Sequence, residues 1–429
     1  MATEKPNLCR FPASPIMPAR DISGSQRGIP FMGEIQMALP EKMKFGIFMA
    51  PFHRINENPT LALERDLELI QWMDTLGFDE AWVGEHHSAG WETISSPEIF
   101  IGIAADRTRH IKLGTGVISL PYHHPLHVAN RMVLLDHLTR GRVMLGVGPG
   151  ALVTDAHMLG IDPTVQRQRM DEALGIIMRL FTETEPITYV SDWFEMHEAM
   201  LQVRPYTKPH MPIAVASVRS PSGPALAGKH GASVLSMSVP RETEARADMN
   251  YLWNVAEESA AEHGQSVRRD EWRLVLPVHL AESREEAIRD LRMGAGQFNR
   301  EYLEETLGRP MDFDGPIDKI LDHLIDAGEW IVGTPDDCIE TITRLDERTG
   351  GFGGFLIGFT QDLAPREKVL RSYELMARYV MPHFQGSLAG LGGSNEWARK
   401  RSDHTREAMN QAVEVAKQTY EARRGTVSP

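Results

Sequence analysis

The sequence predicts an α/β fold: a single (β/α)8 TIM barrel with loop insertions, an N-terminal extension and a C-terminal helical extension. Short apolar runs alternate with longer amphipathic stretches, a pattern typical of repeated βα units and a parallel sheet. About eight such pairs follow one another along the 429 residues. Eight units favour a closed barrel over a doubly wound open sheet, because closure needs that number and an open sheet has no reason to stop there.

Each predicted strand is apolar on both faces, as required when one face fills the barrel and the other meets helices. The strands are predicted, in chain order, at Lys44–Met49, Glu80–Gly84, Ile111–Ile118, Val143–Val147, Ile213–Ala216, Ser233–Met237, Trp272–His279 and Gly354–Ile357. The helices that follow them are predicted at Ala62–Leu76, Pro97–Arg107, Pro125–Leu138, Gln166–Phe181, Gly223–Lys229, Arg241–His263, Arg284–Leu307 and Pro365–Tyr379.

Other segments lie outside this repeat. Residues 184–207 carry aromatic side chains among turn residues and predict a hairpin insertion, and residues 293–334 mix helix with proline-containing loops. Such insertions commonly form lids and pocket walls in barrels. We therefore expect an N-terminal extension at 1–42, the barrel at 43–384, and a C-terminal extension at 385–429 whose polar part, Asn395–Arg424, has helical composition.

Composition excludes several classes of protein. Lys and Arg number 45 against 59 Asp and Glu, a net charge of -14, which argues against a nucleic-acid partner. Two distant cysteines, Cys9 and Cys338, exclude a disulfide framework and a zinc–thiolate site. Since the chain has no signal peptide and no apolar run of membrane-spanning length, we expect a cytoplasmic protein with no membrane contact.

A run of polar residues follows the second predicted strand: Glu85, His86 and His87. Side chains that leave this end of a barrel strand point into the active-site mouth, and an imidazole exchanges protons near neutral pH. We interpret His86 as the proton-handling candidate. His87 points the other way along the chain, and either histidine could instead pack against the barrel rim.

Histidines recur after the third strand, at His123, His124 and His127. Pro125 interrupts their spacing and no metal-ligand motif is present, so we expect no metal site here. Pro125 is better explained as the first residue of a helix.

Two glycine-bearing turns follow the fourth and fifth strands. The first is Gly146–Gly150; the second, residues 217–223, holds three serines and Arg219 ahead of a predicted helix. Free backbone amides and hydroxyl groups at a helix N-terminus suit an anion such as phosphate, although serine and proline also cap helices for purely structural reasons. Neither a GxGxxG run nor a P-loop motif is present, so a phosphate-bearing ligand would be held by the barrel.

Together these motifs resemble the bacterial luciferase-like flavin monooxygenases, and most closely the subgroup that contains limonene 1,2-monooxygenases. The resemblance spans residues 43–384 and rests on five sequence runs: EHH at 85–87, LGTGVISLPYHHP at 113–125, LLDHLTRGRVMLGVGPG at 134–150, the serine loop at 217–223 and GTPDD at 333–337. It implies an FMN-dependent monooxygenase in which reduced FMN (FMNH2) and O2 form a flavin C4a-hydroperoxide that oxidises an apolar, terpene-like or biosynthetic substrate. It also implies a homodimer supplied by a separate NAD(P)H-dependent flavin reductase.

The resemblance also assigns residues. It places His86 beside the flavin ring, a non-prolyl cis peptide at Gly116 and Val117 under the ring, and the flavin phosphate on the serine loop, with Ser217, Arg219, Ser220, Ser222 and Gly223 as candidates. Glu85 would orient or polarise His86, or else serve as a structural carboxylate. Pro149 stands where luciferase carries an arginine, which leaves phosphate binding more dependent on the serine loop. Pocket or rim residues are expected at Met49, Phe52, His53, Trp82 and Tyr122.

Three alternatives remain at this stage. Deazaflavin (F420)-dependent oxidoreductases share the barrel and the phosphate loop. A flavin-binding barrel without catalysis would bind oxidised flavin without turnover. A metal-dependent hydrolase would use the histidine-rich loops and lose activity on chelation.

Overall fold

The strands form a closed barrel in the computed structural model, which describes residues 42–50, 53–218, 220–237, 249–309 and 311–425. The strands of this part of the chain are β1 (Lys44–Met49), β2 (Glu80–Val83), β3 (Lys112–Thr115), β4 (Ile118–Ser119), β5 (Val143–Gly148), β6 (Ile187–Val190), β7 (Glu195–Ala199), β8 (Ile213–Ser217), β9 (Ser233–Ser236), β10 (Arg273–Leu280), β11 (Ile331–Gly333) and β12 (Gly354–Gly358). The barrel order is β1, β2, β3 with β4, β5, β8, β9, β10 and β12, and every pairing is parallel.

Pairing of β12 with β1 and of β9 with β10 closes the circle, so the predicted eight-stranded barrel is confirmed. All eight predicted strands are present within one or two residues, except that the third is divided between β3 and β4. The remaining strands are not among the eight of the barrel. Strands β6 and β7 form the antiparallel hairpin expected within residues 184–207, and β11 pairs with the C-terminal part of β10.

Helices cover the outside of the barrel. In chain order they are α1 (Pro59–Leu76), α2 (Pro97–Arg107), α3 (Pro125–Thr139), α4 (Val153–Met158), α5 (Gln166–Thr182), α6 (Ser222–His230), α7 (Met249–Glu262), α8 (Arg284–Gln297), α9 (Ile320–Asp326), α10 (Pro335–Thr349), α11 (Arg366–Leu375), α12 (Met381–Phe384), α13 (Ala389–Lys400) and α14 (Ser402–Gly425). Two π-helical segments, Phe298–Thr306 and Met376–Val380, continue α8 and α11. The start of the predicted helix Arg241–His263 lies outside the described residues.

Helix α10 is missing from the predicted set, and that prediction was incomplete. Thr334 caps the helix: its hydroxyl accepts from the Asp337 amide, while the Asp337 carboxylate accepts from the Thr334 amide. Its buried residues recur at helical spacing, at Cys338, Ile342 and Leu345. The GTPDD motif therefore has a structural role here, as the N-terminal capping box of a barrel helix.

The core has layers. Large apolar side chains such as Phe48, Trp82 and Leu356 fill the barrel interior, and a larger cluster packs between the strands and the helices. A separate cluster, the insertion core, lies among α8, its π-helical continuation, α9 and β11 and includes Phe298, Tyr302 and Trp330. Apart from most of α8, these elements lie within the predicted insertion at 293–334.

The C-terminal helices α13 and α14 have exposed side chains along the whole of their described length. Among the described residues, no helix is both long enough and apolar enough to cross a membrane.

Candidate active site

A cavity of about 1430 Å³ opens at the carboxyl ends of the barrel strands. Its wall includes Glu85 and His86 after β2, the Gly116–Val117 turn, the glycine turn after β5 and the serine loop after β8. The apolar part of the wall comes largely from the insertion core and includes Phe298, Leu303, Leu307, Leu324, Trp330 and Phe359. The cavity therefore combines an apolar surface with two of the polar motifs that the sequence singles out.

His86 is held by a carboxylate on each side of its ring. Its Nδ1 lies 3.1 Å from Oδ2 of Asp155, and its Nε2 lies 3.0 Å from Oε2 of Glu92. Burial opposes a positive charge on this ring, but Glu92 and Asp155 outweigh burial and raise the pKa of His86 to about 10. The imidazole is thus a cation at neutral pH, with a proton to give.

Asp155, the first of these partners, is itself fixed by neighbouring donors. Its Oδ1 accepts hydrogen bonds from the His87 amide at 3.1 Å and from the Ser88 hydroxyl. Burial raises the pKa of Asp155, but the hydrogen bonds from His86 and Ser88 outweigh burial and keep it low. Asp155 therefore stays ionised beside the His86 ring.

Glu85 does not contact His86 by a hydrogen bond; it forms a brace with two other histidines. One carboxylate oxygen accepts from Nε2 of His87 at 2.8 Å and Nε2 of His123 at 2.6 Å, and the other accepts from the Ser119 amide at 2.8 Å. The Glu85 side chain is fully buried. It therefore ties the end of β2 to β4 and to the turn before α3.

The donor atoms of Glu85, His87 and His123 lie within 4.8 Å of one another, a spacing that suits a metal ion. However, Nη2 of Arg131 lies 3.3 Å from Nδ1 of His123, and a guanidinium group only donates hydrogen bonds. Nδ1 must then accept, so Nε2 carries the ring proton that bonds to Glu85 and has no lone pair for a metal. The cluster is a hydrogen-bonded brace. His124 caps α3, accepting from the Leu126 amide at 3.3 Å.

The Gly116–Val117 peptide bond is cis, as the resemblance predicts. A side chain at Gly116 would not fit, because a Cβ there would lie 2.9 Å from the Phe48 ring and 3.0 Å from Cβ of Trp82. Gly116 and Val117 both line the cavity. The turn thus exposes backbone, with no side chain at Gly116, to whatever occupies the cavity.

The serine loop ends β8 and begins α6. Ser217 is buried against the cavity, and its hydroxyl group has no hydrogen-bond partner among the described residues. The Ser220 and Ser222 hydroxyls lie 2.9 Å apart, and Gly223 allows close approach because a Cβ there would lie 2.6 Å from the Ala216 carbonyl oxygen. An unsatisfied buried hydroxyl beside a helix N-terminus suits a phosphate group. Arg219 lies outside the described residues.

The residues expected in the pocket lie elsewhere where they are described. Met49 and Trp82 are buried in the barrel core, and His53 is buried between Asp66 and Thr93, 2.7 Å from a side-chain oxygen of each. Tyr122 accepts a hydrogen bond from Gln166 at 3.0 Å. None of the four is among the described residues of the cavity wall, and Phe52 lies outside the described residues.

Sequence reasoning missed three polar wall or near-wall residues: Glu92, Asp155 and Tyr302. Asp155 follows the glycine turn after β5, and Tyr302 lies in the insertion expected to supply pocket walls. Their positions in the chain were the only sequence signal that these two residues could belong to the site. Nothing in the sequence pairs either residue with His86.

Comparison with known proteins agrees with this geometry. The model of the luciferase-like monooxygenase family matches residues 43–351. A curated relative, the 4-hydroxyprotoasukamycin monooxygenase of Streptomyces nodosus subsp. asukaensis, is 49% identical over 86% of this chain and 99% of its own. The limonene 1,2-monooxygenase of Rhodococcus erythropolis is 44% identical over 89% of this chain and 97% of its own.

A solved structure shares the fold. It is a type II Baeyer–Villiger monooxygenase, the oxygenating constituent of 3,6-diketocamphane monooxygenase from Pseudomonas putida, in complex with FMN. It is 25% identical, covers 80% of this chain and 98% of its own, and has a TM-score of 0.68.

Proposed function

The chain belongs to the luciferase-like monooxygenase family, and from that premise we propose that it is a flavin-dependent monooxygenase that uses reduced FMN and O2 to oxygenate an apolar organic substrate. One observation carries the proposal: the buried Ser217 hydroxyl, which has no hydrogen-bond partner among the described residues, lies at the end of β8 and lines the same cavity as His86. A phosphate-bearing cofactor would satisfy that hydroxyl.

The residues present fit FMN. Ser217, Ser220 and Ser222, with the N-terminus of α6, would hold its phosphate, and the Gly116–Val117 turn would support its ring. When bound, reduced FMN supplies the reaction with O2, which amino-acid side chains do not supply.

The chain's own residues then have three tasks. His86 holds a proton on the cavity wall, where Asp155 and Glu92 keep the imidazole charged. The apolar side chains Phe298, Trp330 and Phe359 keep water away from the reacting atoms and contact the substrate. Glu85 acts at a distance, since its brace fixes the backbone on either side of His86.

The apolar wall favours a hydrophobic substrate, such as a terpene-like compound or a hydrophobic biosynthetic intermediate. The names of two relatives point the same way, because one refers to limonene and the other to a diketocamphane. We infer that reduced FMN comes from a separate NAD(P)H-dependent reductase, since the solved relative is described as the oxygenating constituent of its system.

We also propose a homodimer built on α2 and α3. These helices lie side by side, because a Cβ at Gly102 of α2 would come within 4.0 Å of the Leu135 side chain of α3. Around that contact lies an exposed apolar patch, here called the α2–α3 patch, formed by Ile99, Ile103, Leu134 and Leu138. Such patches on a water-facing surface commonly mark protein interfaces.

The first test is an anaerobic titration of the purified protein with reduced FMN and, separately, with reduced F420, followed by rapid mixing with oxygenated buffer. We expect saturable binding of reduced FMN and a transient absorbance of oxygenated flavin before the oxidised spectrum, with a shorter lifetime in His86→Ala. Binding of reduced F420 but not of reduced FMN would overturn the proposal in favour of a deazaflavin oxidoreductase. Tight binding of oxidised FMN without oxygen reactivity would indicate a flavin-binding barrel without catalysis.

A further inference from the structure

Two residues from different elements form a chain of contacts that ends at His86: Tyr302 contacts Glu92, and Glu92 contacts the His86 ring. Glu92 lies in the loop between β2 and α2, and Tyr302 lies in the π-helical continuation of α8, 210 residues further along the chain. Glu92 Oε2 is 3.0 Å from His86 Nε2, and Glu92 Oε1 accepts a hydrogen bond from the Tyr302 phenol. All three residues line the cavity.

We propose that Glu92 and Tyr302 are positioning residues for His86: the Glu92 carboxylate holds the Nε2 side of the ring, and the Tyr302 phenol holds the carboxylate. The role of these contacts in catalysis rests on the proposed function, but the contacts themselves are present in the protein without flavin. They make His86 a proton donor at the cavity wall.

The number of N–H groups on the His86 ring supports a charged imidazole. A neutral imidazole has one N–H group and one acceptor nitrogen, whereas an imidazolium has two N–H groups. Both His86 nitrogens face a carboxylate, since Asp155 occupies the Nδ1 side at 3.1 Å. A neutral ring would turn the lone pair of one nitrogen toward a carboxylate oxygen about 3 Å away, so the geometry favours the cation. Glu92 Oε2 is buried and has no hydrogen-bond partner among the described residues, so its 3.0 Å contact with Nε2 is an ion pair.

Packing fixes the Tyr302 ring. Tyr302 is buried, its ring centroid lies 5.7 Å from those of both Trp91 and Phe298, and the three belong to the insertion core. Burial and the neighbouring Glu92 raise the pKa of the Tyr302 phenol well above its usual range, so it remains a donor. A stationary phenol therefore anchors a buried carboxylate that is costly to leave unpaired.

The charged and titratable groups around His86 come from each element that packs against it. They are the carboxylates of Glu92 and Asp155, the imidazole of His87, the phenol of Tyr302 and, further out, the guanidinium of Arg309. The two carboxylates are the contacting groups, and their charge dominates. Removing one of them should therefore lower the pH at which His86 loses its proton.

The test uses the full-length protein without flavin, labelled with 13C at Cε1 of histidine. The His86 resonance is assigned by its absence in His86→Gln and followed as pH rises. In the wild-type protein we expect a midpoint of about 10. In Glu92→Gln we expect it to fall by about one pH unit or more, because an opposite charge in contact has been removed.

Tyr302→Phe tests the second residue. The phenol holds the Glu92 carboxylate in place, so its loss loosens the contact with His86 and should lower the His86 midpoint by less than Glu92→Gln does. Since Tyr302 acts through Glu92, the double variant should have the midpoint of Glu92→Gln alone. The matched control is Tyr189→Phe. Tyr189 lies in β6, outside the barrel, and its phenol donates a hydrogen bond to Glu172 at 2.8 Å. The control variant should leave the His86 midpoint unchanged.

Three results would overturn the proposal: a wild-type midpoint near 6.5, an unchanged midpoint in Glu92→Gln, or a Tyr302→Phe effect that adds fully to that of Glu92→Gln. Should Glu92→Gln fail to fold, Glu92→Asp withdraws the carboxylate by one methylene group and must lower the midpoint by an intermediate amount. No flavin is present in these titrations. A failure to bind reduced FMN would therefore count against the proposed function and leave this inference standing.

Discussion

At the scale of single residues, Ser217 is unusual because its buried hydroxyl group lacks a hydrogen-bond partner among the described residues. Burying an unpaired polar group costs free energy of folding, and a ligand can recover that cost. In the phosphate site that we propose, Ser217 would therefore lower the stability of the free protein and raise its affinity for reduced FMN.

We predict opposite effects of Ser217→Ala on stability and on binding. The free energy of unfolding of the flavin-free protein should stay the same or rise by up to about 1 kcal/mol, while the affinity for reduced FMN falls about tenfold. Urea unfolding and anaerobic titration measure the two quantities. The matched control is Ser233→Ala, which removes a hydroxyl that donates to the Ile213 carbonyl at 3.0 Å. This control should lower stability and leave affinity unchanged. If Ser217→Ala lowers stability and leaves affinity unchanged instead, the serine loop does not bind the flavin phosphate.

Glu85 shows how a charged residue near the active site can be mainly structural. Burial raises its pKa, but the hydrogen bonds from His123 and His87 outweigh burial and hold the pKa below its usual value. A carboxyl whose pKa is lowered by folding stabilises the protein above its ordinary pKa. That contribution disappears as the pH falls through the lowered value.

We therefore predict a pH-dependent effect of Glu85→Gln. At pH 7 the free energy of unfolding should fall by about 3 kcal/mol, because the buried brace loses its charge. The difference from the wild-type protein should begin to shrink below about pH 4, the ordinary pKa of a glutamate, and disappear as the pH falls through the lowered pKa of the folded protein. Urea unfolding at several pH values measures this. Glu183→Gln, which removes an exposed partner of Arg179, is the control and should change nothing measurable. A pH-independent loss would contradict the assignment.

At the scale of elements, β2 and β10 are joined across the barrel interior although they are not neighbours in the sheet. Glu80 begins β2 and Arg273 begins β10, and both side chains are buried in a two-bond ion pair with distances of 2.6 and 2.8 Å. Trp82 also donates to Glu80 at 2.9 Å. The pair lies at the amino ends of the strands, opposite the candidate active site.

We predict that Arg273→Ala lowers the free energy of unfolding by about 3 to 5 kcal/mol, because it leaves a buried carboxylate uncompensated. The double variant Arg273→Met with Glu80→Gln should recover part of that loss. Denaturant unfolding of both variants measures it. Affinity for reduced FMN should not change in the folded double variant, since the pair is remote from the cavity. A large loss of affinity would mean that the two barrel ends are coupled.

Element prediction failed where the chain departs from a plain βα repeat. The predicted helix Arg284–Leu307 is an α-helix only to Gln297 and continues as a π-helix. The spacing of apolar residues cannot reveal this change. A π-helix closes its hydrogen bonds over five residues and an α-helix over four, and over nine residues this difference is too small to appear in the apolar pattern. The change matters, since it is this segment that carries Tyr302 to Glu92.

At the scale of the whole molecule, the α2–α3 patch is the surface on which we propose that the homodimer forms. Four apolar side chains, between 46% and 69% exposed, lie on two adjacent helices. A patch of this kind is unfavourable in water and favourable between copies.

We predict that Ile99→Asp together with Leu138→Asp converts a homodimer to a monomer. A buried charge on each side of the interface opposes association, while the barrel core is untouched. Sedimentation velocity measures the mass, and circular dichroism confirms the fold. The control, Leu391→Asp on the exposed helix α13, should leave the mass unchanged. A monomeric wild-type protein, or a double variant that remains dimeric, would contradict the proposal.

The sequence by itself determined the barrel, its eight strands to within one or two residues, the cis Gly116–Val117 turn by resemblance, and His86 as the residue of interest. The barrel and its strands follow from local patterns, because burial on two faces and helical spacing can be read directly from the order of residues along the chain. Only the tertiary structure decided what surrounds His86. Asp155 lies 69 residues from it, and Tyr302 lies 210 residues from Glu92. Barrel closure brings the loops after separate strands to one rim, and local periodicity does not encode which loop residues meet there.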